Sequence, residues 1–345
     1  MAVDTNRIRC VRCILSSTVP GITFDSAGVC SFCHDQSVST TDITAIERAR
    51  IEIRDLFQRR GCPYDAIHCH SGGKDSSFTL KIAVEKYALR VLSFTLDTGF
   101  MSRTARENIE NVVDSLGVDH IMIRPSQRFF RQVIRAALTR PIYSTHAMRR
   151  ISSGCNACIS MVHAMALRLA LDKNAPFILA GFTLGQIPAN GIVYCNNYRF
   201  LEDGRKRSLD ALRASVGPEV DDYYRIPDEI LNRVTDSPHN VNLMCLESAT
   251  EAEIISEIEK LGWRRPRDVD GCSTNCRLNT LNNVVHERLY GYSPYELELS
   301  HLIRQGLMSR DEALAKVGVP PIDDVTAIAN QLELSEDELQ RFGIG

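Results

Sequence analysis

No stretch of this chain approaches the roughly 20 apolar residues that would span a bilayer, and its start carries no charged-then-apolar leader. Those two absences make the cytoplasm the expected compartment and argue against a membrane partner. A surplus of one charge is missing too: 40 Lys and Arg stand against 43 Asp and Glu, a net charge of −3. That balance does not advertise a nucleic-acid-binding protein. The clusters Arg149-Arg150, Arg205-Lys206-Arg207 and Arg264-Arg265-Pro266-Arg267 read as solvated faces. There is no internal repeat and no low-complexity segment. Cysteine, in contrast, is plentiful at 12 residues, and in a reducing compartment clustered cysteines point to metal or catalysis rather than to disulfides.

At 345 residues and 44% hydrophobic, the chain can bury one sizeable core and a smaller satellite. Residues 1–36 carry two Cys-x-x-Cys pairs and too few apolar residues to fold on burial alone. Residues 37–63 form a linker with a charged helix over 43–60. Residues 64–249 alternate short apolar runs with amphipathic ones: strands are predicted at 65–70, 90–96, 120–123, 176–180 and 241–246, and helices at 75–88, 103–116, 127–139 and 157–173. Such alternation implies an α/β fold with a parallel sheet covered on both faces. Residues 250–345 read as helical, with capping signals at Ser309 and Ser335.

Ser71-Gly72-Gly73-Lys74-Asp75-Ser76 follows an apolar strand and opens a helix. Two glycines let the backbone approach an anion, and successive N–H groups at a helix N-terminus supply positive potential. The hydroxyls of Ser71, Ser76 and Ser77 add donors, and Lys74 a point charge. The spacing is too short for the Gly-x-x-x-x-Gly-Lys-Ser loop of kinase-like NTPases. The six residues resemble the pyrophosphate loop of the PP-loop ATP-pyrophosphatase superfamily. That resemblance implies an adenine nucleotide alpha-hydrolase-like (Rossmann-like) core that cleaves ATP to AMP and pyrophosphate, with Ser71, Gly72, Gly73, Lys74, Asp75 and Ser76 gripping the pyrophosphate end together with Mg2+. Asp97, at the carboxyl end of the second predicted strand, is placed to take ribose hydroxyls or an adenine amino group. Gly181-Phe182-Thr183-Leu184-Gly185-Gln186 falls where relatives carry a Gly-His-Asn-x-Asp-Asp-like element; Gly181 matches and the acidic pair is absent.

Cys10-x2-Cys13-x16-Cys30-x2-Cys33 is a strong zinc signal, since four thiolates on two knuckles close a tetrahedral Zn2+ site whose binding supplies folding energy. His34 is a substitute ligand. Around it, Thr18-Val19-Pro20-Gly21-Ile22-Thr23-Phe24-Asp25 and Gly28-Val29-Cys30 resemble the N-terminal finger of N-acetyl sugar amidotransferases and, more loosely, that of some tRNA thiolases. Residues 300–314 resemble the amidotransferases' helical tail.

Gly154-Cys155-Asn156-Ala157-Cys158 opens a predicted helix, where the helix terminus is expected to lower thiol pKa values. This placement resembles the tRNA thiolases of the 2-thiocytidine and 2-thiouridine type. There a Cys-x-x-Cys and a distant third cysteine hold an iron–sulfur cluster, such as 4Fe-4S, or relay persulfide sulfur. Cys272 is preferred over Cys276 as the third, with the catalytic set then Cys155, Cys158, Cys272, Lys74 and Asp75. A second zinc site from Cys155, Cys158, Cys272 and Cys276 is the bland alternative. Cys62, Cys69, Cys195 and Cys245 stand alone, Cys69 and Cys245 reading as buried small hydrophobes. His286-Glu287 is read as part of a packed helix rather than a proton-transfer pair.

Two functions therefore compete, with a nucleotide-binding regulator without turnover as a third class. One is adenylation of a carbonyl oxygen followed by its replacement with sulfur, on a small molecule or a tRNA base, with a sulfur donor as partner. The other is an ammonia-dependent amidotransferase on a sugar-type acceptor, served by a separate glutaminase. A homodimer is left open.

Overall fold

The computed structural model describes residues 7–61, 63–196, 198–232, 236–318 and 322–344; Cys62 lies outside the described residues. Six strands make one sheet: β1 (Ala66–Cys69), β2 (Val91–Leu96), β3 (Asp119–Ile123), β4 (Phe177–Leu179), β5 (Val193–Cys195) and β6 (His239–Val241). Their order is β3-β2-β1-β4-β6-β5. All pairings are parallel except that of β5 with β6.

Side chains alternate across this sheet as the period of two requires. Ile67, Leu92 and Phe94 face a core with Phe130, Val133 and Met161; Ala66, Val91 and Phe177 face the opposite core with Leu80, Ile258 and Trp263. All six residues of β2 are buried, as befits a strand covered on both sides. The last two helices, Ile322–Gln331 and Glu336–Phe342, belong to the first core, where Val325, Ile328, Leu332, Phe342 and Ile344 are buried.

Four predicted strands coincide with β1 to β4 to within a residue or two. The fifth does not: β6 ends at Val241, and Leu243–Leu246 is a 3-10 turn whose four residues are all buried. An apolar run records burial, not backbone conformation. The antiparallel edge strand β5 and the helix Tyr198–Val216 were not predicted; three residues are too few to show a period. Contrary to the expectation of no such run, the helix Ser153–Asp172 is long and apolar enough to cross a membrane by length and composition. It packs against β1, β2 and β4.

Candidate active site

The 71–76 loop is shaped by its surroundings. Gly72 has φ +74°, and a Cβ there would lie 2.1 Å from the Ala105 carbonyl oxygen; only glycine fits. The buried Trp263 Nε1–H donates to the Gly72 carbonyl at 3.0 Å. Ser71 and Ser76 hydroxyls meet at 3.0 Å, and Ser76 Oγ donates to the Gly73 carbonyl at 3.1 Å. The helix Lys74–Glu85 begins without a side-chain cap from Gly73, and its first N–H, that of Lys74, is taken by Thr274 Oγ1. From the far side Gly181 presses in, where a Cβ would lie 2.9 Å from Asp75 C and Ser76 N. Lys74 Nζ pairs with Asp75 at 2.6 Å. Burial works against its charge, but Asp75 and Glu251 outweigh burial and hold the ammonium above its usual pKa.

Next to the loop lies a cavity of about 300 Å³ lined by Ser71, Gly73, Asp75 and Ser76 on one side and by Cys155, Cys158 and Cys276 on the other. Ser152 caps the helix Ser153–Asp172, its Oγ accepting from Cys155 N. Cys155 Sγ stands 3.3 Å from Asn282 Nδ2 and 3.7 Å from Asn279 Oδ1. Asn279 Nδ2 donates to Asp270, and Tyr295 Oη donates to Asn279 Oδ1. Cys276 arrives on a segment stitched to the turn after β2: Ser102 N donates to Asn275 O at 2.8 Å, and Arg277 N to Phe100 O at 2.9 Å.

Two expectations change here. Cys276, not Cys272, joins the Cys155–Cys158 pair. Ser273 Oγ accepts from the N–H groups of Asn275 and Cys276, and across this tight turn the two cysteines face apart. Cys272 Sγ donates to the Lys316 carbonyl at 3.3 Å and packs near Ile14 and Leu299. Nor are these thiols activated by the helix terminus. Burial pushes Cys155 up, Cys158 well up and Cys276 up to about 12, so desolvation outweighs the helix dipole. A bound metal reverses that balance by taking the thiolate. The three sulfurs converge on one cavity, yet they do not all lie within 4.8 Å of one another.

Asp97 does not face the cavity. It accepts from Arg106 Nη2 at 2.7 Å and from Gly99 N at 3.0 Å. Burial opposes its charge, but those donors hold its pKa below the usual value. Its neighbours Leu96 and Thr98 line the cavity instead. His286 is buried between Tyr290 and Tyr292, lowered by burial to about 3, and Glu287 pairs with Arg7; the packed-helix reading of this pair agrees with the structure.

Sequence reasoning missed Thr274, whose Oγ1 accepts from Lys74 N at 3.0 Å, as well as Asn279, Asn282 and Tyr295. Their signal was weak: Ser273-Thr274-Asn275 lies between the two cysteines, but its partner is remote in sequence.

The N-terminal cysteines form the tightest thiol cluster, with Cys10, Cys13, Cys30 and Cys33 Sγ all within 4.8 Å of one another. Cys13 N and Cys30 N both point at Cys10 Sγ, at 3.5 and 3.3 Å. A hydrogen bond from Cys30 holds the Cys13 thiol down at about 5, while Cys30 itself is pushed up. His34 stands apart, bound to Asp25 at 2.7 Å. This unit docks on the C-terminal helices: Ser16 N donates to Glu296 Oε2 at 3.0 Å, Ile14 N to Ser300 Oγ at 3.3 Å, and Arg310 Nε to the Cys13 carbonyl at 3.0 Å. Arg7 pairs with Glu287 and Glu296, and Tyr292 and Leu297 pack against the cysteines.

No family model matches the chain. An uncharacterised protein of Methanocaldococcus jannaschii, MJ1599, is 22% identical over 319 residues, covering 91% of this chain and 95% of its own length. Among solved structures, the tRNA thiolase NcsA of Methanococcus maripaludis, with its 4Fe-4S cluster, aligns with 95% of this chain and 99% of its own, at 12% identity and TM-score 0.35. The NMN synthetase of Francisella tularensis aligns with 87% and 98%, at 12% identity and TM-score 0.31. The NH3-dependent NAD synthetase of Campylobacter jejuni aligns with 82% and 98%, at 11% identity and TM-score 0.34. Likenesses this distant leave the functional argument to the residues of this chain.

Proposed function

We propose that this chain is an ATP-dependent adenylating enzyme that activates a carbonyl oxygen of its substrate and replaces it with sulfur. The observation that carries this reading is the single cavity shared by the 71–76 loop and the thiols of Cys155, Cys158 and Cys276. ATP would lie with its β and γ phosphates on the loop, magnesium and Lys74 neutralising the departing pyrophosphate. The substrate oxygen attacks the α phosphorus and pyrophosphate leaves. Sulfur then attacks the activated carbon and AMP departs.

Cys155, Cys158 and Cys276 would hold a 4Fe-4S cluster, which leaves one iron open to carry the sulfur. Cys10, Cys13, Cys30 and Cys33 would hold a structural zinc ion that fixes the docked finger. A reducing, cytoplasmic setting belongs to the same proposal.

The test is iron, sulfide and zinc analysis on protein purified without air, combined with pyrophosphate release from ATP. A brown protein with iron and sulfide lost in Cys276→Ser, and pyrophosphate release lost in Lys74→Ala and Asp75→Ala, supports the reading. A colourless protein that forms AMP only with ammonia supports an amidotransferase instead. Pyrophosphate release unchanged in both alanine variants ends the proposal.

A further inference from the structure

Lys74 lines a chamber of about 410 Å³ on the other side of the 71–76 loop, whereas Gly73, Asp75 and Ser76 of the same loop border the thiol cavity. Its ammonium lies among carboxylates. Asp75 Oδ1 stands at 2.6 Å and Glu251 Oε2 at 4.0 Å, and Glu298 adds a weaker pull.

Glu251 is a meeting point for three separate parts of the chain. It is the first residue of the helix Glu251–Glu259. Arg265, just beyond that helix, donates to its Oε1 at 2.6 Å. Lys316, the last residue of the helix Arg310–Lys316, lies 3.0 Å from its Oε2. Lys74 is the third cation and the most distant. Burial opposes a charge on Glu251, but Lys74, then Arg265 and Lys316, outweigh burial and hold its carboxyl down at about 2. The two nearer cations thus anchor an ionised carboxylate beside the third. Glu247, on the wall of the same chamber, is paired instead with Lys86 at 2.6 Å.

We infer that Glu251 is a positioning residue for pyrophosphate release: it competes with pyrophosphate for the ammonium of Lys74, and by taking Lys74 back it speeds departure of the product. The inference rests on the adenylation reading above. Arg265 and Lys316 keep the carboxylate in place, while Lys74 carries its charge on a flexible four-carbon stem. A side chain favours the bound state only by the difference between its interactions there and in the empty site. Whatever Glu251 contributes to Lys74 in the empty site therefore weakens the net hold of Lys74 on the anion. With that carboxylate gone, Lys74 would grip pyrophosphate more tightly and let it go more slowly.

The test measures binding of magnesium pyrophosphate to the full-length protein by calorimetry, with the dissociation rate followed by rapid mixing. Glu251→Gln should tighten binding by about 10-fold, the order expected when one of several charges near 4 Å is removed, and the change should lie in slower dissociation. Glu251→Asp keeps the charge but draws it back from Lys74 by one methylene. It should tighten binding by about 3-fold, and it carries the test if loss of the charge unfolds the chain. Glu247→Gln removes a charge from the same chamber and should change nothing. In a Lys74→Ala background, Glu251→Gln should have no further effect, since the two residues act through one interaction.

Unchanged or weaker binding in both Glu251 variants, equal tightening by Glu247→Gln, or tightening that survives in Lys74→Ala overturns the inference and leaves the adenylation reading standing. Wild-type protein that binds no magnesium pyrophosphate ends both.

Discussion

Thr274 Oγ1 accepts the main-chain N–H of Lys74 at 3.0 Å, although 200 residues of chain separate them. A Cβ on Gly73 would lie 2.9 Å from the same oxygen, so the phosphate loop and the turn between Cys272 and Cys276 were built to touch. The residue pair joins the 71–76 loop to the thiol side of the cavity.

Thr274→Val removes that acceptor at constant volume and leaves a partly buried N–H unpaired. The expected cost is about 1–2 kcal/mol, read as a shift in the denaturant midpoint at unchanged slope.

Gly181→Ala places a methyl group against main-chain atoms at the start of the helix Lys74–Glu85. Backbone cannot step aside as a flexible side chain would, so the loop itself must shift. Pyrophosphate release should fall by about 10-fold or more, in line with the sensitivity of positioned groups to displacements of about 1 Å, with destabilisation of about 1–3 kcal/mol.

Cys276→Ser and Cys272→Ser should separate cleanly. The first should reduce sulfur transfer by at least about 100-fold, the order expected when a group acting in the transition state is lost, and leave ATP binding intact. The second removes a packed thiol outside the cavity, and should cost stability of about 1 kcal/mol with sulfur transfer near the wild-type rate. Sulfur incorporation measured by mass spectrometry on both variants decides the matter.

On the proposed structural zinc at the four N-terminal cysteines, removing the metal should loosen more than the finger. The knuckles hold Glu296, Ser300 and Arg310 through hydrogen bonds, and Tyr295 at the head of the helix Glu296–Arg304 reaches Asn279 beside Cys155. Chelation, or Cys13→Ser, is therefore expected to lower the melting temperature and speed amide exchange in that helix as well as in residues 7–34. Exchange confined to the finger would show that the two are uncoupled.

Acid should destabilise the fold early. His68 is fully buried on β1, and His286 is buried on the helix Leu278–Tyr290; burial lowers both to about 3. Because the folded pKa lies below the ordinary value near 6.5, the unfolded chain binds these protons first. The stability these neutral imidazoles allow is complete above pH 6.5 and is lost progressively as pH falls towards 3. Denaturant midpoints at pH 8, 6 and 5 should decline, and His68→Leu should flatten that decline.

Local patterns carried most of the architecture. Strand–helix alternation located β1 to β4, the helices over 103–116 and 127–139 appear with the predicted bounds, and serines 309 and 335 do cap their helices with reciprocal glutamates. These features depend on residues a few positions apart. The run 241–246 misled because an apolar string fits a buried 3-10 turn as well as a strand, and β5 was invisible because an edge strand of three residues has no period.

At the site, the Ser-Gly-Gly-Lys-Asp-Ser string and the two cysteine groups were legible as strings because each lies within a few residues on one strand-to-helix turn, one helix start or one pair of knuckles. The choice between Cys272 and Cys276 was not. The two differ by a turn whose direction is set by Met101 and Ser102, contributed by another part of the chain. Asp97 was identified as a carboxylate at the right sheet edge, but Arg106 had already claimed it. Sequence by itself determined which groups the protein possesses and the elements that carry them; only packing decided which of those groups face one another, because desolvation and pairing are properties of neighbours in space.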